Sequence, residues 1–118
     1  MNFAYVLYPN IEPIDLAAIG VLSMGKRVIP EIDYFLGSDN MYPCQFANGL
    51  KVLPDFTFAN CPKADYIIVP GGPGWPVASK NKFLLSYLKE AINSKIFSLC
   101  TGAMILAESG LLNNHTVT

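Results

Sequence analysis

The chain has 118 residues, enough for one domain with a single modest core. Only 14% of its residues are charged, against roughly 25% in an average chain, so either much of the surface is covered or part of the domain is missing. A net charge of −1 without any basic cluster argues against nucleic-acid binding by these residues. No stretch approaches the roughly 20 apolar residues of a membrane helix. The start M-N-F-A-Y-V-L-Y-P lacks a basic n-region and reads as a strand rather than a signal peptide. Three cysteines without framework spacing point to free thiols in a reducing compartment, with the cytoplasm as the expected location.

Residues 3–8 form a continuous apolar run, the pattern of a strand buried on both faces of a parallel sheet. Pro9 ends it, and N-I-E-P-I-D leads into an apolar helix predicted over residues 15–24 and closed by Gly25. A second strand is predicted at residues 32–37. Asn48-Gly49 lies between two short β-rich runs and predicts a hairpin with positive φ at both turn positions. Residues 66–69 make a third core strand, followed at once by P-G-G-P-G-W-P. Residues 81–93 predict an amphipathic helix with Leu84, Leu85, Leu88, Ala91 and Ile92 on one face. Beyond Gly110, Asn113-Asn114-His115 predicts a polar turn and Thr116 the start of a strand. The alternation of strand and helix predicts an α/β sheet with helices on both faces.

The chemistry concentrates in K-I-F-S-L-C-T-G-A-M-I-L-A-E-S-G, residues 95–110. Ile96, Phe97 and Leu99 predict a buried central strand. After Cys100 the period changes, with Ala103, Leu106 and Ala107 at helical spacing and Gly110 as the stop. Cys100 thus falls on a strand-to-helix turn between the small residues Ser98 and Gly102, like the nucleophile elbow of the α/β-hydrolases. The helix N-terminus there favours thiolate over thiol. A structural cysteine ending a strand is the plainer alternative, but period, small neighbours and helix start agree on the elbow.

The Pro70-Gly71-Gly72-Pro73-Gly74 loop follows a core strand and lies on the same carboxyl edge, where open α/β sheets bind ligands. Gly72 N–H and Thr101 N–H are a candidate donor pair for developing negative charge. A plain tight turn is the alternative, and no Gly-Lys-Ser/Thr follows to make a P-loop. Asp15 also follows a core strand. It is either a helix N-cap or a carboxyl group beside Cys100 that exchanges protons with it, and the residues alone leave the two even. His115, the only histidine, comes after a helix about 13 Å long at roughly 1.5 Å per residue, which carries it to the opposite edge and disfavours a Cys–His dyad. No metal or cofactor constellation is visible. Cys44 and Cys61 read as structural; Tyr8 and Trp75 flank the site as pocket walls or as packing.

The segments L-Y-P-N-I-E-P-I-D-L, N-G-L-K-V-L-P-D, D-Y-I-I-V-P-G-G-P-G and S-L-C-T-G-A-M-I-L-A-E-S-G-L-L resemble the DJ-1/PfpI superfamily, most closely its isonitrile hydratase-like branch. The resemblance implies a flavodoxin-like, doubly wound, mostly parallel sheet in a single domain over residues 1–118. Family domains continue past the position of Thr118, so the domain is expected to be incomplete, with a bare apolar face covered by a C-terminal segment or by a homodimer. It implies Cys100 as nucleophile, Asp15 as the acidic residue beside it, and Gly71, Gly72 and Thr101 as the surrounding loop and elbow. Aspartate and Cys-Thr-Gly, where other branches carry glutamate or Cys-His, fit the hydratase-like branch. Nothing is carried onto His115. The implied activity is cofactor-free hydration of a small-molecule isonitrile to an N-substituted formamide. The rivals are a ligand-sensing domain of a transcription regulator and a redox-responsive protein that senses oxidation at Cys100.

Overall fold

In the computed structural model, which describes residues 1–110, the apolar N-terminal run is the middle of the sheet. Strand β1 (Asn2–Val6) pairs in parallel with β2 (Asp33–Ser38) on one side and β6 (Tyr66–Val69) on the other. Every side chain from Ala4 to Tyr8 is at most 2% exposed, as expected for a strand covered on both faces. Strand β7 (Lys95–Ser98) pairs in parallel with β6, and the short β5 (Phe56–Thr57) with β2. The sheet order is β5-β2-β1-β6-β7, the flavodoxin-like order with an extra edge strand that the sequence pattern did not predict. The fold is therefore the parallel α/β sheet that was expected.

A four-residue 3₁₀ turn (Pro13–Leu16) and helix α1 (Ala17–Val28) connect β1 to β2, while α2 (Trp75–Ala78) and α3 (Lys82–Glu90) connect β6 to β7. The first connection moves one way across the sheet and the second the other. Right-handed crossovers then put α1 and α3 on opposite faces. The reversal falls between the carboxyl ends of β1 and β6, the switch point at which such sheets bind ligands.

Local chemistry explains where the elements end. Gly25 does not close α1: its carbonyl accepts Ile29 N–H at 2.8 Å, and the helix stops before Pro30, whose ring disfavours helical backbone at Ile29 (φ −121°, ψ 89°). Asn81 caps α3 by accepting from Phe83 and Leu84 N–H, and the helix ends at Glu90, so Ile92 lies beyond it and outward. In the antiparallel hairpin β3 (Cys44–Gln45) and β4 (Lys51–Val52), only Gly49 has positive φ, at 91°. Phe46 N–H bonds Leu50 C=O and Gly49 N–H bonds Phe46 C=O, a three-residue loop ending on a left-handed glycine rather than the two-residue turn expected.

One expectation about the elbow region changes. Strand β7 is an edge strand among the described residues, with Lys95, Phe97 and Ser98 exposed. Helix α4 (Gly102–Ser109) buries Gly102, Ile105, Leu106 and Ser109, a face that includes two residues an apolar count overlooks. Apolar surface is visible elsewhere too. Helix α1 buries none of its residues fully, and Val21, Met24 and Val28 stand outward. No helix among the described residues is long and apolar enough to cross a membrane.

Candidate active site

The elbow is built by close approach. After β7, Leu99 N–H continues the pairing onto Val69 C=O at 2.9 Å, and Gly102 N–H closes back on Leu99 C=O at 2.8 Å. Between them Cys100 takes φ 48°, a left-handed backbone that costs a non-glycine residue on the order of 1–3 kcal/mol. Gly102 makes the following helix possible. A Cβ there would lie 2.2 Å from Val69 C=O, so any side chain would drive α4 off β6. The thiol of Cys100 is thereby held out at the carboxyl edge, exposed, at the head of α4.

Asp15 is brought to the same point from the end of β1. It lies in the 3₁₀ turn, 7% exposed, and caps nothing in its own helix. Its Oδ2 accepts Gly71 N–H at 2.8 Å, and its Oδ1 accepts Cys100 Sγ at 3.6 Å. The N-cap alternative is thus overturned: the carboxylate serves another loop and the thiol. The carboxylate charge pushes the Cys100 thiol above its ordinary range, with desolvation, the hydrogen bond to Asp15 and the charge of Glu12 adding to it. The helix head alone favours a thiolate, but a carboxylate in contact with sulfur outweighs it. In this geometry the Cys100 sulfur donates to Asp15, and the carboxylate charge works against the thiolate that the helix head favours.

The glycine loop joins these two groups. Gly71 C=O accepts Glu12 N–H at 3.0 Å, and Gly74 N–H donates to Asn10 C=O at 3.0 Å. From the other side the hairpin grips the same segment, with Asn10 N–H on Gln45 C=O and Ala47 N–H on Ile11 C=O. Residues 10–12 are therefore clamped between hairpin and glycine loop, which fixes the 3₁₀ turn that carries Asp15. Gly72 N–H donates to Thr101 Oγ1 at 2.9 Å. The donor pair drawn from the sequence is corrected accordingly: Gly72 N–H is occupied by the Thr101 hydroxyl, and the two residues tie loop to elbow. Gly72 needs to be glycine, since its φ is 141° and a Cβ would lie 2.3 Å from Glu12 N.

Beneath the site lie two tyrosines. Tyr8, 2% exposed, donates its hydroxyl to Pro70 C=O, and burial, then Asp15 and Cys100, push its phenol far up. Tyr5 is fully buried, and its hydroxyl has no hydrogen-bond partner among the described residues. Sequence reasoning named Tyr8 only as a flanking aromatic. The signal was a phenol where an apolar strand needs only a hydrocarbon. Trp75 packs against the core. Cys44 is buried, and Cys61 Sγ contacts Phe58 C=O at 3.4 Å, so neither joins the site. His115 lies outside the described residues. Among the described residues no three His, Cys, Asp or Glu side chains converge to hold a metal ion. A cavity of about 400 Å³ lies at the opposite, amino-terminal edge, lined by Phe58, Cys61 and Tyr87 among others, and includes none of the residues around Cys100.

Comparison with known proteins agrees with this architecture. The chain is 28% identical over 121 positions to the isonitrile hydratase of Pseudomonas putida, covering 100% of this chain and 51% of that protein. A ThiJ/PfpI family protein from Pseudomonas syringae superposes with a TM-score of 0.82 at 24% identity, over 93% of this chain and 46% of that one. A DJ-1 superfamily protein from Agrobacterium tumefaciens gives a TM-score of 0.77 at 21% identity, over 97% of this chain and 61% of that one. The chain thus spans about half the length of the first two relatives. The DJ-1/PfpI family pattern matches residues 28–118, three quarters of the chain and all of the elbow, and the chain belongs to the DJ-1/PfpI family.

Proposed function

We propose that these residues belong to one DJ-1/PfpI domain and carry the reacting groups of an isonitrile hydratase-like enzyme, with Cys100 as nucleophile and Asp15 as its proton partner. The observation that carries the proposal is the contact of Cys100 Sγ with Asp15 Oδ1 at 3.6 Å, at a strained turn beyond the carboxyl end of β7. Similarity over the whole chain to the Pseudomonas putida isonitrile hydratase supplies the substrate class.

The chemistry follows from one shared proton. As sulfur adds to the terminal carbon of R–N≡C, the thiol proton passes to Asp15 and from there to that carbon, leaving a thioimidate, R–N=CH–S–Cys100. Asp15, again a carboxylate, then takes a proton from water as its oxygen adds to the same carbon. That proton goes to nitrogen. The C–S bond breaks, the hydroxyl proton returns to sulfur through Asp15, and R–NH–CHO leaves. Gly72 and Thr101 hold the glycine loop against the elbow, and Gly71 N–H holds Asp15, so the acid and the nucleophile arrive already oriented.

Incubating the full-length protein with a simple alkyl or aryl isonitrile and following the N-substituted formamide by chromatography tests this. Turnover that disappears in Cys100→Ala is expected. No formamide from the folded protein, or undiminished formation in Cys100→Ala, would refute the proposal.

A further inference from the structure

Pro70 C=O and Gly71 N–H are the two polar ends of one planar peptide unit. Both are held. The carbonyl accepts the Tyr8 hydroxyl, and the N–H donates to Asp15 Oδ2 at 2.8 Å. A peptide plane gripped at both ends cannot turn without breaking both bonds. Packing alone does not explain the grip, because phenylalanine would fill the same buried space at the end of β1. The phenol is buried and stays protonated, so it can donate, and the only role open to a carbonyl is to accept.

The geometry points to Tyr8 as a positioning residue: through the Pro70–Gly71 peptide, its hydroxyl aims the N–H that draws the charge of the Asp15 carboxylate toward Oδ2 and away from Cys100. This deepens the proton exchange between Asp15 and Cys100 proposed above and rests on it. Gly71 N–H draws carboxylate charge toward Oδ2, while Oδ1 faces the sulfur. Without the phenol, Pro70 C=O is left buried and unpaired, which favours rotation of the peptide. Gly71 N–H then leaves Oδ2, and the undiminished charge faces the thiol. Among the described residues, the acidic and titratable groups around Cys100 are Asp15 in the 3₁₀ turn, Glu12 before it and Tyr8 just after β1. Tyr8→Phe leaves both carboxylates in the chain and changes only how Asp15 is held.

The test is the pH–rate profile of Cys100 alkylation by iodoacetamide in the full-length protein, read by peptide mass mapping. Four forms are compared: wild type, Tyr8→Phe, Asp15→Asn and the double variant. Tyr8→Phe should move the midpoint upward and slow alkylation at neutral pH several-fold. In the Asp15→Asn background the same substitution should move nothing, because no carboxylate remains to be aimed. The Gly71 amide proton, followed by NMR, should move upfield in Tyr8→Phe as it loses its carboxylate acceptor. A wild-type profile with an unmoved Gly71 resonance in Tyr8→Phe overturns the inference. So does an equal shift with and without Asp15, which would make the phenol act on the thiol directly. None of these measurements uses an isonitrile. A protein that fails to hydrate isonitriles but shows the coupling loses its substrate assignment and keeps this one.

Discussion

Cys44 in the hairpin and Cys100 at the elbow both hold their protons above the ordinary thiol range, for different reasons. Cys44 is pushed to about 11 by burial, with the charge of Asp39 adding to it. Cys100 is exposed, and it is raised first of all by the carboxylate beside it. Burial suppresses a thiol until strongly alkaline pH, because it penalises the charged form whatever approaches. A carboxylate suppresses it conditionally in the proposed mechanism, where the group that disfavours the thiolate also takes the proton when an electrophile arrives. The same direction of shift therefore marks an inert sulfur in one region and a poised one in the other.

The largest expected effect separates the two regions outright. Asp15→Asn removes the proton acceptor and should lower isonitrile turnover by about 10²- to 10⁴-fold, the usual worth of a positioned acid–base group. Cys44→Ala, in the hairpin, should leave the turnover per folded molecule unchanged. Steady-state kinetics on both variants checks this, and an active Asp15→Asn enzyme would leave the mechanism without its acid.

Backbone tolerance should differ next. Gly102→Ala puts a methyl 2.2 Å from Val69 C=O, main chain that cannot swing away, and should cost about 3 kcal/mol or prevent folding. Gly49→Ala in the hairpin has φ 91° but open space around it, so only the left-handed backbone penalty of about 1 kcal/mol applies. Denaturant melts of the two variants should rank in that order; equal losses would mean that α4 does not lie as close to β6 as described.

Alkali sharpens the contrast in stability. The folded state holds the Cys44 proton to about 11, whereas the unfolded chain releases it near the ordinary thiol value of 9.0. Between those values the unfolded state binds fewer protons, so stability must fall as pH rises. Cys44→Ala should flatten that part of the pH–stability curve, and an unchanged slope would show that Cys44 ionises normally in the fold. The smallest effect is at the elbow itself. Cys100→Gly should be more stable than Cys100→Ala by about 1 kcal/mol, because φ 48° suits glycine, and matched thermal melts would detect it.

Much of this framework was legible in the chain. The run from Ala4 to Tyr8 and the strand Tyr66–Val69 announced a doubly covered parallel sheet, and period change, small neighbours and Gly110 announced the elbow. What stayed hidden was tertiary. Local order sees a helix head beside Cys100 and leaves Asp15 even between a cap and a partner of the thiol; only the fold brings it to the sulfur from 85 positions away. The edge position of β7 depends on neighbours in space, and β5, with two residues, is too short to leave a period. The inward face of α4 includes Gly102 and Ser109, which the helical spacing of Ala103, Leu106 and Ala107 did not mark. The tie between Gly72 and Thr101 is side chain to backbone across 29 positions, which no motif spacing encodes.

The central claim is that Asp15 and Cys100 hold one proton between them. Its most direct test is the pH dependence of Cys100 alkylation in wild type and Asp15→Asn, with Cys44 followed in the same peptide maps. The account predicts that losing the carboxylate charge lowers the Cys100 midpoint, so that alkylation at neutral pH speeds up while isonitrile turnover falls, and Cys44 does not move. A Cys100 midpoint that stays in place or rises in Asp15→Asn would contradict it.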